Sequence, residues 1–175
     1  MKKYGYLFES YPNNEHTNII RQIVRLTGCN KYLELGIREG YHITQMSQQC
    51  EYCIGVDILD RRTFWNFNFY HGTTDQFFET NTETFDIIFI DADHSFESVK
   101  KDFINSLKIL NKHGIILIHD TDPISEEFKQ SKFCGDSYKM TDWIDQNYPE
   151  LHQITLPITE AGLTIVNRKS DKRCS

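Results

Sequence analysis

The stretch Phe85-Asp-Ile-Ile-Phe-Ile90 decides the fold class, because all of its residues except Asp86 are apolar. A strand that is apolar on both faces is buried on both faces, which is typical of parallel strands covered by helices. The stretch Gly114-Ile-Ile-Leu-Ile118 has the same character. Between the two, apolar residues recur at steps of three and four, which predicts a helix with one buried stripe. The stripe consists of Phe96, Val99, Phe103, Leu107 and Leu110.

The other apolar runs extend this strand-helix-strand unit in both directions. Before it, the pattern predicts a helix over 15–27, a strand over 31–35, a helix over 41–49, a strand over 52–58 and a weaker strand over 67–71. After it, the pattern predicts a helix over 138–148 and two short strands over 153–157 and 163–166 that pair antiparallel. Strands that alternate with helices indicate an open α/β sheet, here with a terminal hairpin.

Length, charge and cysteine content limit the classes of protein that need to be considered. A chain of 175 residues fits one domain, 1–175, and the basic end 169–175 is expected to be a flexible tail. The formal net charge of −6 argues against a nucleic-acid partner. No apolar run approaches the roughly 20 residues of a membrane span, and Met1-Lys-Lys-Tyr4 does not begin a signal peptide. We therefore expect a cytoplasmic protein without a membrane partner.

Cys50 and Cys53 form a single C-x-x-C, for which free structural thiols are the favoured interpretation.

Polar and small residues follow each predicted strand. In open α/β sheets, ligands bind at the carboxyl ends of the strands, near the point where the strand order reverses. The residues at these ends are those of 34–40, Asp57, 72–75, 91–94 and 119–121. Their concentration at one edge of the sheet predicts a ligand site there.

The first of these turns contains Gly36 and Gly40, but it lacks the dinucleotide fingerprint, because Arg38 stands where the second glycine should be. This argues against NAD as the ligand. Glu34 precedes the turn as an acid at the lip of the site, where it could hold an ammonium group. Asp57 ends the second strand and could accept both hydroxyls of a ribose. Taken singly, each of these residues could also be ordinary turn chemistry.

Together these segments resemble the class I S-adenosylmethionine-dependent methyltransferases over nearly the whole chain. The segment Tyr32-Leu-Glu-Leu-Gly-Ile-Arg-Glu-Gly40 is similar to the first motif of that family, and Ile54-Gly-Val-Asp57 is similar to the second. The segments 85–99, 110–121 and 162–166 resemble one branch, the small-molecule O-methyltransferase-like proteins. Macrocin-type sugar O-methyltransferases and cephalosporin hydroxylase-like proteins are related to this branch.

The resemblance implies a Rossmann-like fold with a mostly parallel seven-stranded sheet, one antiparallel C-terminal strand and helices on both faces. It also implies S-adenosylmethionine as the cofactor. Gly72 and Asp75 would lie beside the adenine, and Asp91 would lie at the methionine end, where the methyl group is transferred. The full set of implied cofactor-binding residues is Glu34, Gly36, Arg38, Gly40, Asp57, Gly72, Thr74, Asp75 and Asp91.

Two chemistries are open for the catalytic step. By the resemblance, Asp91, His119 and Asp120 stand at metal-ligand positions, and Mg²⁺ or another divalent cation there would favour the alkoxide form of the acceptor. His119 departs from the acidic residue of macrocin-type enzymes at that position. Alternatively, His94 or His119 acts as a general base. Each histidine could instead be a structural polar residue, and Asp120 is the hardest to explain structurally, because a lone buried charge is costly.

The expected activity is methyl transfer to a hydroxyl group of a small molecule, such as a sugar. A hydroxylase-like enzyme and a non-catalytic cofactor-binding protein of the same fold are the alternatives. We expect the acceptor pocket to be covered by residues 4–11 and by the polar stretch 121–137, which is predicted to be a mobile lid. The pocket is then either open or completed by the second subunit of a homodimer.

Overall fold

The structure is a computed structural model that describes residues 15–169, and its centre is a seven-stranded sheet. The strands are β1 (Lys31–Leu35), β2 (Tyr52–Asp57), β3 (Asn68–His71), β4 (Phe85–Ile90), β5 (Leu110–His119), β6 (Leu151–Leu156) and β7 (Leu163–Arg168). Their order in the sheet is β3-β2-β1-β4-β5-β7-β6. Strand β7 runs antiparallel to β5 and to β6, whereas the pairs among β1 to β5 are parallel. The predicted sheet with one antiparallel strand near its C-terminal end is confirmed.

Five α-helices and one short 3₁₀ helix accompany these strands within the described residues. They are α1 (Glu15–Thr27), α2 (Tyr41–Met46), α3 (Thr74–Thr80), α4 (Phe96–Ile109), α5 (Lys139–Asn147) and the 3₁₀ helix Glu126–Lys129. The sequence analysis missed α3, because seven residues are too few to show a helical apolar period. A local signal was present, since Thr73 and Gln76 have the spacing of a capping box, and both of its hydrogen bonds are made.

The helices cover both faces of the sheet, as predicted. On one face, α1 and α2 bury Ile20 and Ile43 against the sheet. On the other face, α3, α4 and α5 bury apolar side chains such as Phe77, Phe103 and Ile144. Because successive residues of a strand point to opposite faces, β4 contributes to both clusters, and this requires the continuous apolar run that it carries.

Several element boundaries differ from the prediction: the helix predicted over 41–49 ends at Met46, and the strand predicted over 153–157 spans Leu151–Leu156. Strand β5 begins at Leu110 and not at Gly114, because the chain passes directly from α4 into the sheet, where Leu110 pairs with Phe85. The stretch 121–137, predicted to be a mobile lid, is attached to its neighbours. The amide of Asp122 donates to the carbonyl of Ala161 over 2.8 Å, and the amide of Asp136 donates to the carbonyl of His94 over 3.1 Å.

No helix among residues 15–169 is long and apolar enough to cross a membrane. Residues 4–11, which were predicted to cover the acceptor pocket, lie outside the described residues, as do residues 170–175 of the predicted tail. Lys169, the first residue of that tail, is bound to the fold, because its amide donates to the carbonyl of Glu150 over 3.1 Å.

Candidate active site

The turn after β1 lies against the turn after β4, at the point of the sheet where the strand order reverses. Gly36 has a φ angle of +83°, and a Cβ atom added there would lie 2.2 Å from the carbonyl oxygen of Asp91. The amide of Asp91 in turn donates to the carbonyl of Leu35 over 2.8 Å. Only a residue without a side chain allows this contact between main chains. The two turns therefore form one edge of a common site.

The turn keeps a glycine-type backbone even where it lacks glycine. Arg38 has a φ angle of +52°, in the left-handed region that glycine adopts most easily. Its side chain is 61% exposed and points away from the core. Gly40 has a φ angle of +81° and directly precedes α2, and a Cβ atom there would meet the ring of Phe67 at 2.7 Å.

The carboxylate of Asp57 fixes this turn by accepting hydrogen bonds from main-chain amides of the turn. Its Oδ2 accepts hydrogen bonds from the amides of Ile37 (3.2 Å) and Arg38 (2.9 Å), and its Oδ1 accepts from the amide of Leu59 over 2.9 Å. A carboxylate offers about four lone-pair sites, so one site, on Oδ1, is left for a further donor. The acid predicted to bind both ribose hydroxyls thus fixes the shape of the adjacent turn and has an acceptor site for one hydroxyl, not for both.

Glu34 does not lie at the lip of the site but inside the protein. Its side chain is 1% exposed, and its Oε2 accepts a hydrogen bond from the hydroxyl of Tyr32 over 2.8 Å. Burial raises the pKa of Glu34 well above its usual range, although the bond from Tyr32 opposes the shift. Its carboxyl group also accepts from the amide of Ile43, in the first turn of α2. Glu34 is therefore placed to anchor the start of α2 beneath the turn.

The third predicted segment surrounds the start of α3. The amide of Gly72 donates to the carbonyl of Asp57 over 3.0 Å, which joins this segment to the end of β2. Thr74 is the first residue of α3, and its side chain is hydrogen-bonded to Asp102. Asp75 is half-exposed and forms an ion pair of 2.6 Å with Lys101. A ligand that used the Asp75 carboxylate would have to share it with this lysine.

The structure brings together all four residues that were predicted to be catalytic. His119 Nδ1 lies 3.1 Å from Asp91 Oδ1 and 3.4 Å from Asp120 Oδ1. His94 Nε2 lies 3.6 Å from Asp91 Oδ1, and its Nδ1 lies 3.1 Å from Asp120 Oδ2. His94 Nδ1 also contacts the carbonyl oxygen of Phe133. We refer to Asp91, His94, His119 and Asp120 as the acid-imidazole cluster.

Asp120 is held in an unfavourable backbone conformation within this cluster. It has a φ angle of +62° and is only 4% exposed. A non-glycine residue in the left-handed region costs on the order of 1–3 kcal/mol, and such residues are concentrated at functional sites. Aspartate tolerates this conformation better than most residues, and it turns its carboxylate toward the two imidazoles.

The charges of the cluster compensate one another. Burial disfavours the charged form of His94. The hydrogen bond to Asp91 and the charge of Asp120 outweigh this effect of burial and raise the pKa of His94 to about 9. Burial likewise opposes charge on His119, yet Asp120 and Asp91 raise its pKa well above the usual range. Despite burial, the two histidines hold the pKa of Asp91 well below its usual range. At neutral pH both histidines are therefore protonated and Asp91 is ionised.

Two further histidines adjoin the cluster, and the sequence analysis missed both. His16 Nε2 lies 3.1 Å from His42 Nε2, and the ring centroids of His16 and His119 are 4.5 Å apart. Burial, reinforced by the charge of His119, lowers the pKa of His16 to about 2, and burial lowers that of His42 to about 4, so both are neutral. A signal for His16 existed, because it is spaced four and eight residues from Ile20 and Val24 on the buried stripe of α1.

A cavity of about 230 Å³ opens beside His94. Its lining consists of Asp93, His94, Ser95, Lys129, Ser131, Gly135 and Asp136. A second cavity, of about 480 Å³, is larger but lies at the opposite edge of the sheet, near Leu107, Tyr148 and Arg168. The acid-imidazole cluster adjoins the smaller cavity, through His94. We therefore identify the candidate site by these titratable side chains and not by the volume of the cavity.

Residues 33–121, about half of the chain, match the family described as Methyltransferase domain, and the chain belongs to that family. This defines the class of protein. No curated protein sequence matches the chain significantly.

Solved structures support the same fold. A Staphylococcus aureus protein proposed to be a caffeoyl-CoA O-methyltransferase is 20% identical, with a TM-score of 0.74, over 90% of this chain and 84% of that one. A Bacillus cereus O-methyltransferase in complex with S-adenosylhomocysteine is 17% identical, with a TM-score of 0.69, over 88% and 80%. The N-methyltransferase NodS of Bradyrhizobium japonicum, in complex with S-adenosylhomocysteine, is 14% identical, with a TM-score of 0.67, over 93% and 92%. At such identities the likeness shows the fold.

The contact between the two turns predicts different results for two glycine substitutions. Gly28→Ala places a side chain at a φ angle of +66° with no atom within 4 Å of it, so it should cost only the roughly 1–2 kcal/mol of the left-handed backbone. Gly36→Ala adds a clash with the main chain of Asp91 and Ala92, and it should cost clearly more. Urea unfolding of both variants measures the difference. Equal losses in the free energy of unfolding would show that the two turns are not in close contact.

Proposed function

We propose that this protein is an S-adenosylmethionine-dependent methyltransferase that methylates a hydroxyl group of a small molecule. The observation that carries the proposal is the acid-imidazole cluster, which adjoins the glycine turn in a chain of a methyltransferase family. S-adenosylmethionine supplies an electrophilic methyl group on a sulfonium sulfur, so the protein has to position the acceptor and remove its proton.

The turn after β1 and Asp57 are the proposed cofactor-binding elements. Asp57 already accepts from two amides of the turn, and its remaining acceptor site on Oδ1 suits one ribose hydroxyl. Gly36 keeps the main chain of the turn close to Asp91. A cationic sulfur near Asp91 would be stabilised by that carboxylate. Glu34 supports this arrangement from below by anchoring α2.

His94 is the proposed general base. It is about one-third exposed and lines the 230 Å³ cavity, whereas the side chain of His119 is only 14% exposed. The carbonyl of Phe133 can only accept, so the proton of neutral His94 stays on Nδ1 and its lone pair is at Nε2. That lone pair faces Asp91, where the acceptor hydroxyl would meet the cofactor. His119, bound to both carboxylates, is proposed to orient them.

Cofactor binding would favour the basic form of His94. In the free protein the carboxylates keep His94 protonated up to a pH of about 9. A cation bound beside Asp91 would lower the pKa of His94, since it opposes a second positive charge nearby. The base would therefore become available when the cofactor is present.

The lining of the 230 Å³ cavity favours a small polar acceptor. Its side chains are hydroxyls, carboxylates, a lysine and an imidazole, and these suit a compound with several hydroxyl groups, such as a sugar. The cavity lacks the basic surface that a nucleic acid would need. This fits the branch of small-molecule O-methyltransferase-like proteins that the sequence resembles.

Asp57 provides the first test. Asp57→Ala removes the proposed hydrogen-bond acceptor of the ribose and also the bonds that hold the turn. Hydrogen bonds to charged groups contribute about 1.5–3 kcal/mol each. S-adenosylhomocysteine should therefore bind roughly ten- to a hundredfold more weakly. Isothermal titration calorimetry measures the affinity. Asp60→Ala is the control, because Asp60 pairs with Arg62 in the same loop. Equal losses in both variants, or none in Asp57→Ala, would contradict the assignment.

His94 provides the second test. His94→Gln should leave the affinity for S-adenosylhomocysteine nearly unchanged and reduce turnover about 10²–10⁴-fold, the usual contribution of a general base. Release of S-adenosylhomocysteine with a panel of hydroxylated acceptors measures turnover, and a matched panel of amines tests N-methylation. Full turnover in the variant would contradict the role of His94. Binding without turnover on either panel would favour the non-catalytic alternative.

The pH dependence follows from the same role. Because the neutral form is active, kcat/KM of the wild-type protein should rise with pH and level off above about 9, the pKa of His94 in the free protein. The profile of kcat, which reports the loaded enzyme, should level off at a lower pH.

A metal-assisted reaction is the second candidate, because one donor atom each from Asp91, His94 and Asp120 lies within 4.8 Å of the others. The sequence had indicated Asp91, His119 and Asp120, whereas the set that meets this distance contains His94 in place of His119. Two carboxylates and an imidazole suit Mn²⁺, Fe²⁺ or Zn²⁺ better than Mg²⁺, which prefers oxygen ligands. A bound ion would lower the pKa of an acceptor hydroxyl.

Chelation separates the two candidates. If His94 acts as a base, protein treated with a chelator should retain its turnover, and added Mn²⁺ or Zn²⁺ should not increase it. Turnover that is lost on chelation and restored by Mn²⁺, together with weaker Mn²⁺ binding by Asp91→Asn in calorimetry, would overturn the metal-free route.

A further inference from the structure

Three thiols meet at the edge of the sheet that is opposite the candidate active site. Cys29 follows the end of α1, Cys50 lies between α2 and β2, and Cys53 belongs to β2. Cys29 lies thirteen positions after His16, and nearly all of the residues between them belong to α1, which corresponds to roughly 20 Å along the helix. No step of the proposed methyl transfer uses these thiols, so they need a separate explanation.

The geometry favours one pair among the three. The sulfur atoms of Cys50 and Cys29 are 3.5 Å apart, and both residues are free thiols. Cys29 and Cys53 are each 3% exposed, whereas Cys50 is half-buried and can be reached by a small reagent. One thiol of the pair is therefore accessible, and the sulfur that lies 3.5 Å from it is protected.

We propose that Cys50 and Cys29 form a redox-active dithiol, in which Cys50 reacts with a low-molecular-weight disulfide and Cys29 resolves the product to an intramolecular disulfide. This site is independent of the proposed function. A disulfide needs a sulfur separation of about 2.05 Å, so the two atoms must approach by roughly 1.5 Å. Each residue lies in the connection between a helix and the strand that follows it, where a small local shift can provide this.

The electrostatic surroundings agree with the assigned roles. Hydrogen bonding with Cys29 and Cys53 lowers the pKa of Cys50, although burial opposes the shift. The bond to Cys50, together with burial, raises the pKa of Cys29. The thiolate is the nucleophile in disulfide exchange, so the half-buried Cys50 should react first.

The exchange is balanced with the disulfide as the only oxidant. The Cys50 thiolate attacks one sulfur of the reagent RS–SR, its S–S bond breaks, and one RS⁻ leaves as Cys50 becomes a mixed disulfide. Cys29 then attacks the Cys50 sulfur and expels the second RS⁻. The protons of the two cysteines pass to the two RS⁻ groups, so one protein disulfide and two RSH form. The new bond joins the segment after α1 to the segment after α2 and closes a loop between positions 21 residues apart.

The pairing can be read by mass spectrometry on the full chain with Cys174→Ser, since Cys174 lies outside the described residues. After incubation with oxidised glutathione, the intact mass should fall by two hydrogen atoms, and peptide mapping should find Cys29 joined to Cys50. The closed loop restricts the unfolded chain, so the melting temperature should rise by several degrees and return on reduction. Cys134, which is buried elsewhere, is the internal control and should remain unmodified.

Two variants assign the roles within the pair. In Cys29→Ser, a mixed disulfide with glutathione should accumulate on Cys50, because the resolving thiol is missing. In Cys53→Ser, the bridge should still form. If a variant at a buried cysteine fails to fold, the peptide map of the protein with all three thiols intact decides. A bridge between Cys50 and Cys53, or a Cys50 that is no more reactive than Cys134, would overturn the proposal.

Discussion

The candidate site depends on the contact between Gly36 and the main chain of Asp91. Strands β1 and β4 are neighbours at the reversal of the strand order, so their carboxyl ends meet there. Because Gly36 has no side chain, the turn proposed to hold the cofactor touches the turn that carries the acids. Any side chain at this position would separate the two. A glycine at the end of one strand therefore determines whether the proposed cofactor-binding turn and the proposed catalytic groups can share one site.

Charge compensation is the second constraint, and it operates within the acid-imidazole cluster. Asp120 is buried in a strained backbone conformation. His94 and His119 lie next to its carboxyl group and compensate its burial. The same pairing raises the pKa values of both histidines. The four groups thus act as one unit, and replacing any one of them changes the charge felt by the others. The neutral pair His16 and His42 borders this unit, and the rings of His16, His42 and His119 all lie near Phe89 of the core.

Sequence patterns could predict the sheet, because a strand buried on both faces needs a continuous apolar run, as in β4. They could also predict that Asp91, His119 and Asp120 meet, since the ends of parallel strands converge. Helix α3 and the start of β5 were missed, because they depend on capping and on pairing with β4. The contacts of His16 and the main-chain bonds of Asp57 arise from tertiary packing, which no local pattern in the sequence encodes.

The most direct test of this account is a crystal structure of the protein with S-adenosylhomocysteine. The account predicts that the ribose lies on Asp57 and that the sulfur lies beside Asp91, with His94 facing the open space beyond it. A sulfur that points away from the acid-imidazole cluster, or a ligand bound at another edge of the sheet, would contradict the central claim.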